Sequence, residues 1–354
     1  MGGKYHFNIQ INSVENNAGS KAIDDCKKIL NDNGYKNLDI YFVKKPYLIF
    51  YNLIKLLLIL ICQFFIIKKN SIIIVQYPLK GINTVFRYFI KMLHYKQCFV
   101  ACIIHDIDSL RYKRSNVEII KEIQILNAYN AVISHNCKMT AWLKANGLTS
   151  GTIDLEIFDY LYFGEKDSIQ NNISDNNNSV VFAGSLGRGN FIYHLGKIAI
   201  GIKFKLYGSF INSKRIDSNE NVTWMGTFPP DKLIKELKGN FGLVWDGDSI
   251  DYCDGQMGEY LQYNNPHKAS LYISAGIPVI ISSKAAIADF VLKNNIGIII
   301  NSIADIKDKL NSMSQYKYNV MLENTNSIAE KVRIGYFFNS ALKKLEAIHF
   351  KILS

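Results

Sequence analysis

The feature that most constrains this chain is a regular alternation of short apolar runs with helix-length segments, which occurs twice. Runs that are apolar almost throughout are typical of strands in a parallel sheet that helices cover on both faces. In the first half, strands are predicted at 5–11, 38–43, 71–77, 98–104, 131–134 and 152–155. Helices are predicted near 20–33, 48–67, 82–95, 115–129 and 137–146. The pattern therefore predicts an α/β domain of doubly wound, Rossmann-like topology.

A polar, Asn-rich stretch interrupts the alternation, and a second series follows it. Its strands are predicted at 180–184, 204–208, 222–226, 241–247, 277–282 and 296–300, with helices near 190–198, 230–238, 266–275 and 284–293. The last segment is helical and has no strand. We predict a first Rossmann-like domain on the acceptor side, a linker, a second Rossmann-like domain that binds nucleotide-sugar, and a C-terminal helix packing back on the first domain, over 1–165, 166–178, 179–318 and 319–354. Because doubly wound sheets bind ligands beyond the carboxyl ends of their strands, the chemistry is expected in the interdomain cleft.

Composition excludes several classes of protein. A hydrophobic content of 48% with 20% charged residues indicates a globular chain. The net charge of +11 favours an anionic partner, although a Lys-rich genome gives the same bias. The lysines are dispersed rather than interleaved with aromatic residues, so nucleic acid is not expected. The six cysteines show no pairing rhythm, and the N-terminus has no secretory h-region. A cytoplasmic protein is expected.

The apolar stretch 47–67 has about the length of a membrane span, and Lys55 is its single charge. It is interpreted as a spanning helix, as a helix lying on a bilayer, or as a helix buried in the domain. Strand patterns on both sides disfavour the spanning helix, because it would divide one sheet across a membrane. The other two interpretations stay open, and Lys68 and Lys69 suit peripheral contact with the inner face of the cytoplasmic membrane.

Two stretches of the second domain predict an anion site. Asn265 is expected to cap a helix that has Pro266 at its first position, so free N–H groups, the helix dipole and Lys268 would hold a diphosphate. In 182–188, Gly184 allows close approach of the backbone, and Arg188 is able to fork across two phosphate oxygens. The alternatives are a structural helix with a solvated lysine and a plain loop with an exposed arginine.

Acidic residues follow two other strands. His105, Asp106 and Asp108 are candidates for the general base that deprotonates an acceptor hydroxyl, or else they pair with nearby arginines. Asp246 opens an acidic, Gly-rich loop that is suited to hydrogen-bonding sugar hydroxyls. Ser134 and His135 end a further strand, without the partners of a hydrolytic triad.

The motifs IIHDIDSLR (103–111), AVISHNCKMTAWL (131–143), VFAGSLGR (181–188) and the block from FGLVWDG to SAGIPV (241–279) resemble the bacterial β-1,6-galactofuranosyltransferase family of O-antigen and capsule synthesis. They are also similar to streptococcal glucosyltransferases that extend GlcNAc on serine-rich adhesins. The resemblance runs in order over most of the chain.

The resemblance implies a GT-B fold, a UDP-sugar donor and no essential metal or other cofactor. It makes Arg188 and Lys268 the diphosphate ligands. It assigns contacts on the nucleoside side to Tyr207 and to the helix start 265–270, which includes Asn265, His267 and Ser270. It places Asn17 and Gly19 near the donor. Leu271 stands where many retaining GT-B enzymes have a glutamate, which favours an inverting mechanism.

The expected function is therefore transfer of a hexose from UDP to a glycan acceptor. The preferred hexose is galactofuranose, and the acceptor is expected to be lipid-linked. The alternatives are a glucosyltransferase that extends GlcNAc on a glycoprotein and a non-catalytic partner subunit that binds nucleotide-sugar. The glucosyltransferase relatives also imply a homo-oligomer.

Overall fold

The computed structural model describes residues 2–11, 18–42, 49–79, 81–164, 178–187, 189–198, 201–209 and 220–353. Within them the chain forms two compact units. The first holds the described residues of 1–16, 22–155 and 338–354, and the second those of 17–21 and 156–337. Of the predicted linker 166–178, all but Asn178 lies outside the described residues.

The first unit is built on a six-stranded sheet in which every pair of neighbours is parallel. Its strands are β1 Lys4–Phe7, β3 Lys36–Asn37, β5 Ile72–Tyr77, β6 Phe99–Ile104, β7 Ala131–Ser134 and β8 Gly151–Asp154. Their order is β3-β1-β5-β6-β7-β8. Every residue of β5 and β6 is buried, as expected for unbroken apolar strands at the centre of a covered sheet. The predicted parallel sheet is confirmed.

The first predicted strand is divided, because the stretch 5–11 forms β1 and then β2 (Ile9–Ile11). The second predicted stretch, 38–43, forms β4 (Ile40–Phe42), and the short β3 precedes it, where no strand was predicted. β2 pairs with β4 in a separate two-stranded parallel sheet. The backbone N–H groups of Leu38 and Ile40 donate to the carbonyls of His6 and Asn8, and these bonds keep the two segments side by side between the two sheets. An apolar pattern continues through such a break, so the sequence did not reveal it.

The helices associated with this sheet are α1 Ala18–Asp32, α2 Ile49–Ile66, α3 Asn83–Tyr95, α4 Asp108–Arg111, α5 Asn116–Leu126 and α6 Cys137–Ala145. The single-turn helix α4 was not predicted, because four residues are too few to show a period. Its first backbone N–H groups, those of Asp108 and Ser109, donate to the buried carboxylate of Glu122 at 3.1 and 2.7 Å. Glu122 therefore satisfies the start of α4.

The second unit contains another six-stranded parallel sheet. Its strands are β9 Ser179–Ala183, β10 Lys203–Tyr207, β11 Val222–Gly226, β12 Phe241–Val244, β13 Val279–Ser282 and β14 Gly297–Ile300, in the order β11-β10-β9-β12-β13-β14. The 3-10 helix Asn190–His194 leads into the helices, which are α7 Leu195–Ile198, α8 Pro230–Glu236, α9 Gly255–Tyr260, α10 His267–Ser274, α11 Ala288–Asn294, α12 Asp305–Asn311 and α13 Gln315–Arg333. Strand β12 ends three residues earlier than predicted, where Trp245 Nε1 donates to the Ser249 carbonyl at 2.9 Å.

The C-terminal segment forms two helices instead of one. Helix α13 packs on α10 within the second unit, and α14 (Tyr336–Leu353) follows it. Gly335 separates them with a φ of +78°, a conformation that ends a helix and that glycine adopts without strain. From Phe338 onward α14 belongs to the first unit, where Glu346 accepts hydrogen bonds from Lys4 at 2.7 Å and Tyr35 at 2.9 Å.

In the described part of the chain, no helix combines the length and the apolar character that crossing a membrane requires.

Candidate functional site

The predicted anion site lies at the start of α10, and its local geometry differs from the prediction by one residue. Pro266 is the N-cap residue and His267 begins the helix, which has no side-chain cap. Asn265 is not the N-cap residue, and its Nδ2 donates to the Glu156 carbonyl at 3.2 Å. The first N–H groups of α10 are therefore not satisfied by a capping side chain, and they lie at the positive end of the helix dipole.

Lys268 is held in a fixed position beyond the carboxyl end of β12. Its Nζ donates to the Trp245 carbonyl and to Asp246 Oδ1, both at 2.8 Å, and lies 4.8 Å from the centre of the Phe182 ring. The Lys268 side chain is 14% exposed and that of Asp246 is 21% exposed. A largely desolvated ion pair of this kind fixes a positive charge beside the start of α10.

His267 is a neutral imidazole in this unit. Its ring lies 5.5 Å from Phe158 and 5.7 Å from Tyr160, measured between ring centroids. Burial lowers the pKa of His267 to about 4, and the charge of Lys21 acts in the same direction. Its Nε2 is buried and has no hydrogen-bond partner in the described structure. The imidazole is therefore available as a neutral hydrogen-bonding group at pH 7.

The lowered pKa of His267 predicts a pH-dependent stability. Between about pH 6.5 and pH 4 the unfolded imidazole binds a proton that the folded one does not, so stability is lost as the pH falls through this window. We expect wild type to lose free energy of unfolding relative to His267→Gln by up to about 1.4 kcal/mol per pH unit there. Denaturant unfolding of both proteins at pH 7.5, 5.5 and 4.5 measures this difference in the free energy of unfolding. A difference between them that does not change with pH would contradict the assignment.

Two further polar atoms lie near the start of α10. Ser270 Oγ and Asn264 Oδ1 are buried and have no hydrogen-bond partner among the described residues. Ser270 is three residues after His267, so both side chains lie on one side of the helix. Buried polar groups are normally paired, and these atoms are suited to a polar ligand.

The glycines after β9 and β10 bring two chain segments close together. Gly184 N–H donates to the Tyr207 carbonyl at 3.0 Å. A Cβ on Gly208, which has a φ of +142°, would lie 1.8 Å from the Gly184 carbonyl oxygen. A side chain is therefore excluded at Gly208, and the close approach is made between these two glycines.

Tyr207 is placed differently from its predicted role. Its side chain is 1% exposed, and its hydroxyl donates to the Glu236 carbonyl at 3.0 Å and accepts the Lys238 N–H at 3.2 Å. The ring therefore anchors the end of α8, and we do not retain it as a nucleoside contact.

The acidic loop after β12 uses several of its carboxylates to hold its own backbone. Asp254 Oδ1 accepts the N–H groups of Asp248 and Ser249, and Asp248 Oδ1 accepts the N–H of Asn190 at 2.8 Å. In the described residues, no three His, Cys, Asp or Glu side chains are grouped so that they would hold a metal ion. Asp246, the predicted residue of this loop, accepts a hydrogen bond from Lys268 at the start of α10.

The candidate bases lie in the first unit, after β6. His105 Nε2 is 2.8 Å from Gln76 Oε1, and Asp106 forms an ion pair with Arg111. Asp108 stands in the first turn of α4. The pairing considered as the alternative is therefore present for Asp106. At the end of β7, His135 Nε2 lies 3.1 Å from the Ile104 carbonyl oxygen, as in a core histidine.

Some predicted residues are described only in part or not at all. Asn17 and Arg188 lie outside the described residues. Gly19 lies in the first turn of α1. Their roles at the donor stay predictions.

Comparison with known proteins decides the family. Models of the N-terminal and C-terminal domains of glucosyltransferase 3-like proteins match residues 4–157 and 180–345. The chain belongs to the glucosyltransferase 3-like family. Its resemblance to galactofuranosyltransferases is confirmed: it is 32% identical to the β-1,6-galactofuranosyltransferase WbbI of Escherichia coli K12 over 349 residues, 96% of this chain and 98% of WbbI. It is 25% identical to glucosyltransferase 3 of Streptococcus gordonii over 77% of this chain and 78% of that protein.

Solved structures agree on the fold. The sucrose-phosphate synthase of Thermosynechococcus elongatus superposes with a TM-score of 0.62 at 12% identity, covering 99% of both chains. Anabaena HepE in complex with UDP and glucose gives 0.61 at 15% identity, covering 97% of this chain and 99% of HepE. This glucosyltransferase 3-like chain is a glycosyltransferase of GT-B fold, as predicted.

Sequence reasoning missed several residues that shape this family member's α10 site. Tyr160 and Phe158 flank His267, and Lys21 bonds the Leu161 carbonyl at 3.1 Å and lies 5.2 Å from the Tyr160 ring centre. Asn264 was passed over in favour of Asn265. These residues are far apart in sequence, so no local motif joins them, but the doubled asparagine was a usable signal.

Proposed function

We propose that this glycosyltransferase moves galactofuranose from UDP to a glycan acceptor in surface polysaccharide synthesis. The observation that carries the donor half is the start of α10, where uncapped N–H groups lie beside the fixed ammonium of Lys268. The structural neighbour HepE, in complex with UDP and glucose, supports a UDP-sugar donor. The relationship to WbbI at 32% identity supports galactofuranose and a glycan acceptor.

The diphosphate of the donor is assigned to the N-terminus of α10. Lys268 and the proposed ligand Arg188 supply positive charge to the leaving UDP, and the helix dipole adds to it. Because these cations are available, no metal is needed in the proposed mechanism. The neutral imidazole of His267, Ser270 Oγ and Asn264 Oδ1 offer hydrogen bonds to the nucleoside or sugar. Asp246 orients Lys268 and accepts a hydrogen bond from a sugar hydroxyl.

Activation of the acceptor is assigned to the residues after β6. Asp106, Asp108 or His105 takes the proton from the acceptor hydroxyl as the hydroxyl oxygen attacks the anomeric carbon and the bond to UDP breaks. Direct attack inverts the configuration at that carbon, in keeping with Leu271 at the position where many retaining enzymes have a glutamate. The acceptor is proposed to be lipid-linked.

A glucosyltransferase that extends GlcNAc on a glycoprotein is the second candidate. It is favoured by the family models and by the 25% identity to the Streptococcus gordonii protein. A non-catalytic subunit that binds nucleotide-sugar is the third, and it would bind UDP without turning over any donor.

The decisive experiment is UDP release from UDP-galactofuranose, UDP-galactopyranose and UDP-glucose, with a glucose- or GlcNAc-capped lipid acceptor analogue, with and without chelator. We expect turnover of UDP-galactofuranose that resists the chelator. Preference for UDP-glucose would replace galactofuranose by the glucosyltransferase candidate. Binding of UDP without release from any donor would favour the partner subunit, and loss of turnover with chelator would overturn metal independence.

A further inference from the structure

Helix α2 has two apolar faces, and only one of them packs on the first unit. Leu56, Leu60 and the following Ile67 are buried at 1%, 5% and 0% exposure. On the opposite side, Ile54, Leu58, Ile61 and Phe65 are 57%, 58%, 50% and 77% exposed. Their spacing of i, i+4, i+7 and i+11 forms a single stripe along the helix. A surface helix normally presents polar residues there, so this stripe is suited to contact with another apolar phase.

Helix α3 also exposes large side chains with apolar rings. It packs against α2, buries Phe86, Phe89, Ile90 and Leu93, and leaves Tyr88 63% and Tyr95 89% exposed. We call the exposed side chains of these two helices, Ile54, Leu58, Ile61, Phe65, Tyr88 and Tyr95, the α2–α3 face. Tyrosine places an apolar ring and a polar hydroxyl at the same site, which suits the boundary between water and an apolar phase.

The helix that carries this stripe is fixed to the domain. Lys96 Nζ donates to the Phe64 and Ile67 carbonyls, both at 2.6 Å, and lies 4.5 Å from the centre of the Phe64 ring. These bonds satisfy carbonyl groups at the C-terminal end of α2. The apolar stripe is therefore presented by an anchored helix rather than by a loose segment.

The charges in the part of the chain that forms the α2–α3 face have one sign. The stretch 40–105, which contains both helices, has nine Lys and Arg residues and no Asp or Glu, and so accounts for +9 of the chain's net +11. Lys68 and Lys69, immediately after α2, and Lys91 on α3 are exposed. An apolar stripe bordered by lysines is complementary to an anionic bilayer, whose headgroups neutralise the lysines while its acyl region covers the stripe.

We propose that the α2–α3 face docks this protein on an anionic lipid surface, with α2 lying parallel to the membrane plane. A second copy of the chain is a poorer occupant, because a symmetric interface would bring two stretches of +9 together without one acidic residue in either. The docking itself does not depend on the proposed function. Only its purpose, to bring the enzyme to a lipid-linked acceptor, rests on that function.

The test is flotation of the full-length protein with vesicles of phosphatidylcholine alone and with vesicles containing one quarter phosphatidylglycerol. We expect at least about tenfold stronger binding to the anionic vesicles, decreasing at 0.5 M NaCl because salt screens the lysines. Leu58→Gln/Ile61→Gln is expected to weaken it at least about tenfold, since it removes exposed apolar area without touching the buried stripe. Lys68→Gln/Lys69→Gln is expected to weaken it severalfold. Leu292→Gln, which changes a 59% exposed leucine of the second unit, is the matched control and should bind as wild type does.

Three results would overturn the proposal. They are absence of a preference for anionic vesicles, unchanged binding of Leu58→Gln/Ile61→Gln, and a dimer in sedimentation velocity that this double variant dissociates while neither protein floats. Transfer to a water-soluble acceptor, measured without vesicles, separates docking from the proposed function. It should be the same in wild type and Leu58→Gln/Ile61→Gln. Its absence in both proteins, while wild type floats, would reject the proposed function and leave docking in place.

Discussion

Lys268→Ala is expected to lower kcat/KM for the UDP-sugar by about 10²–10³-fold, the usual loss when one preorganised group that stabilises developing charge is removed. Lys268 is the second residue of α10, and its ammonium is fixed 2.8 Å from both the Trp245 carbonyl oxygen and Asp246 Oδ1. Its removal also leaves the Asp246 carboxylate without its partner, which opposes binding of a diphosphate. Calorimetry measures the loss of UDP affinity, and initial rates of UDP release measure the loss of kcat/KM.

Two further variants show whether the effect of Lys268→Ala comes from the lost positive charge. In Lys268→Ala/Asp246→Asn the unpaired carboxylate is gone, so UDP affinity should recover in part while the rate stays low. Lys293→Ala changes an exposed lysine of α11 in the same unit and should bind UDP as wild type does. Binding of UDP by Lys268→Ala with wild-type affinity would show that the anion site lies elsewhere. The same experiment on Arg188→Ala tests the second proposed diphosphate ligand.

Replacement of the general base is expected to give the other large effect. Asp106→Asn and Asp108→Asn are to be compared, and the variant that removes the base should lose about 10²–10⁴-fold in kcat. UDP affinity should not change, because the base acts on the acceptor and not on the diphosphate. Single-turnover rates with saturating donor and acceptor report this loss directly.

The structure provides controls for both aspartates. Asp106 forms an ion pair with Arg111, so Arg111→Gln would reproduce the effect of Asp106→Asn if that effect came from losing the pair. Asp32→Asn removes an exposed aspartate of α1 that pairs with Lys28 and should be neutral. If both Asp106→Asn and Asp108→Asn keep wild-type kcat, neither residue is the base, and His105→Gln becomes the test.

The architecture was readable from the sequence because burial of both sheet faces imposes unbroken apolar strands. β5, β6, β12 and β13 appear as such runs, and each is buried at every residue. The same logic failed where apolar character continues through a change of partner, as at the division of β1 from β2. It also failed for α4, whose start depends on Glu122, a residue of the next helix.

The site at the start of α10 was likewise predictable from the sequence only in part. A proline, a histidine and a lysine at the start of an apolar helix indicated an anion site, since the chemistry of a helix N-terminus is local. The pairing of Lys268 with Asp246 was not readable, because 22 residues separate them. Tyr207 seemed available after β10, but burial of its side chain commits the hydroxyl to the end of α8.

The sequence by itself determined the two parallel sheets, the family and the residue types at the start of α10, because apolar periodicity and helix-end chemistry act over a few residues. Only the tertiary structure decided which side chains are desolvated and which are paired. It made His267 neutral by packing it beside Phe158 and Tyr160, and it left one stripe of α2 exposed while burying the other. Desolvation and pairing depend on neighbours that are distant in the chain, and folding alone brings them together.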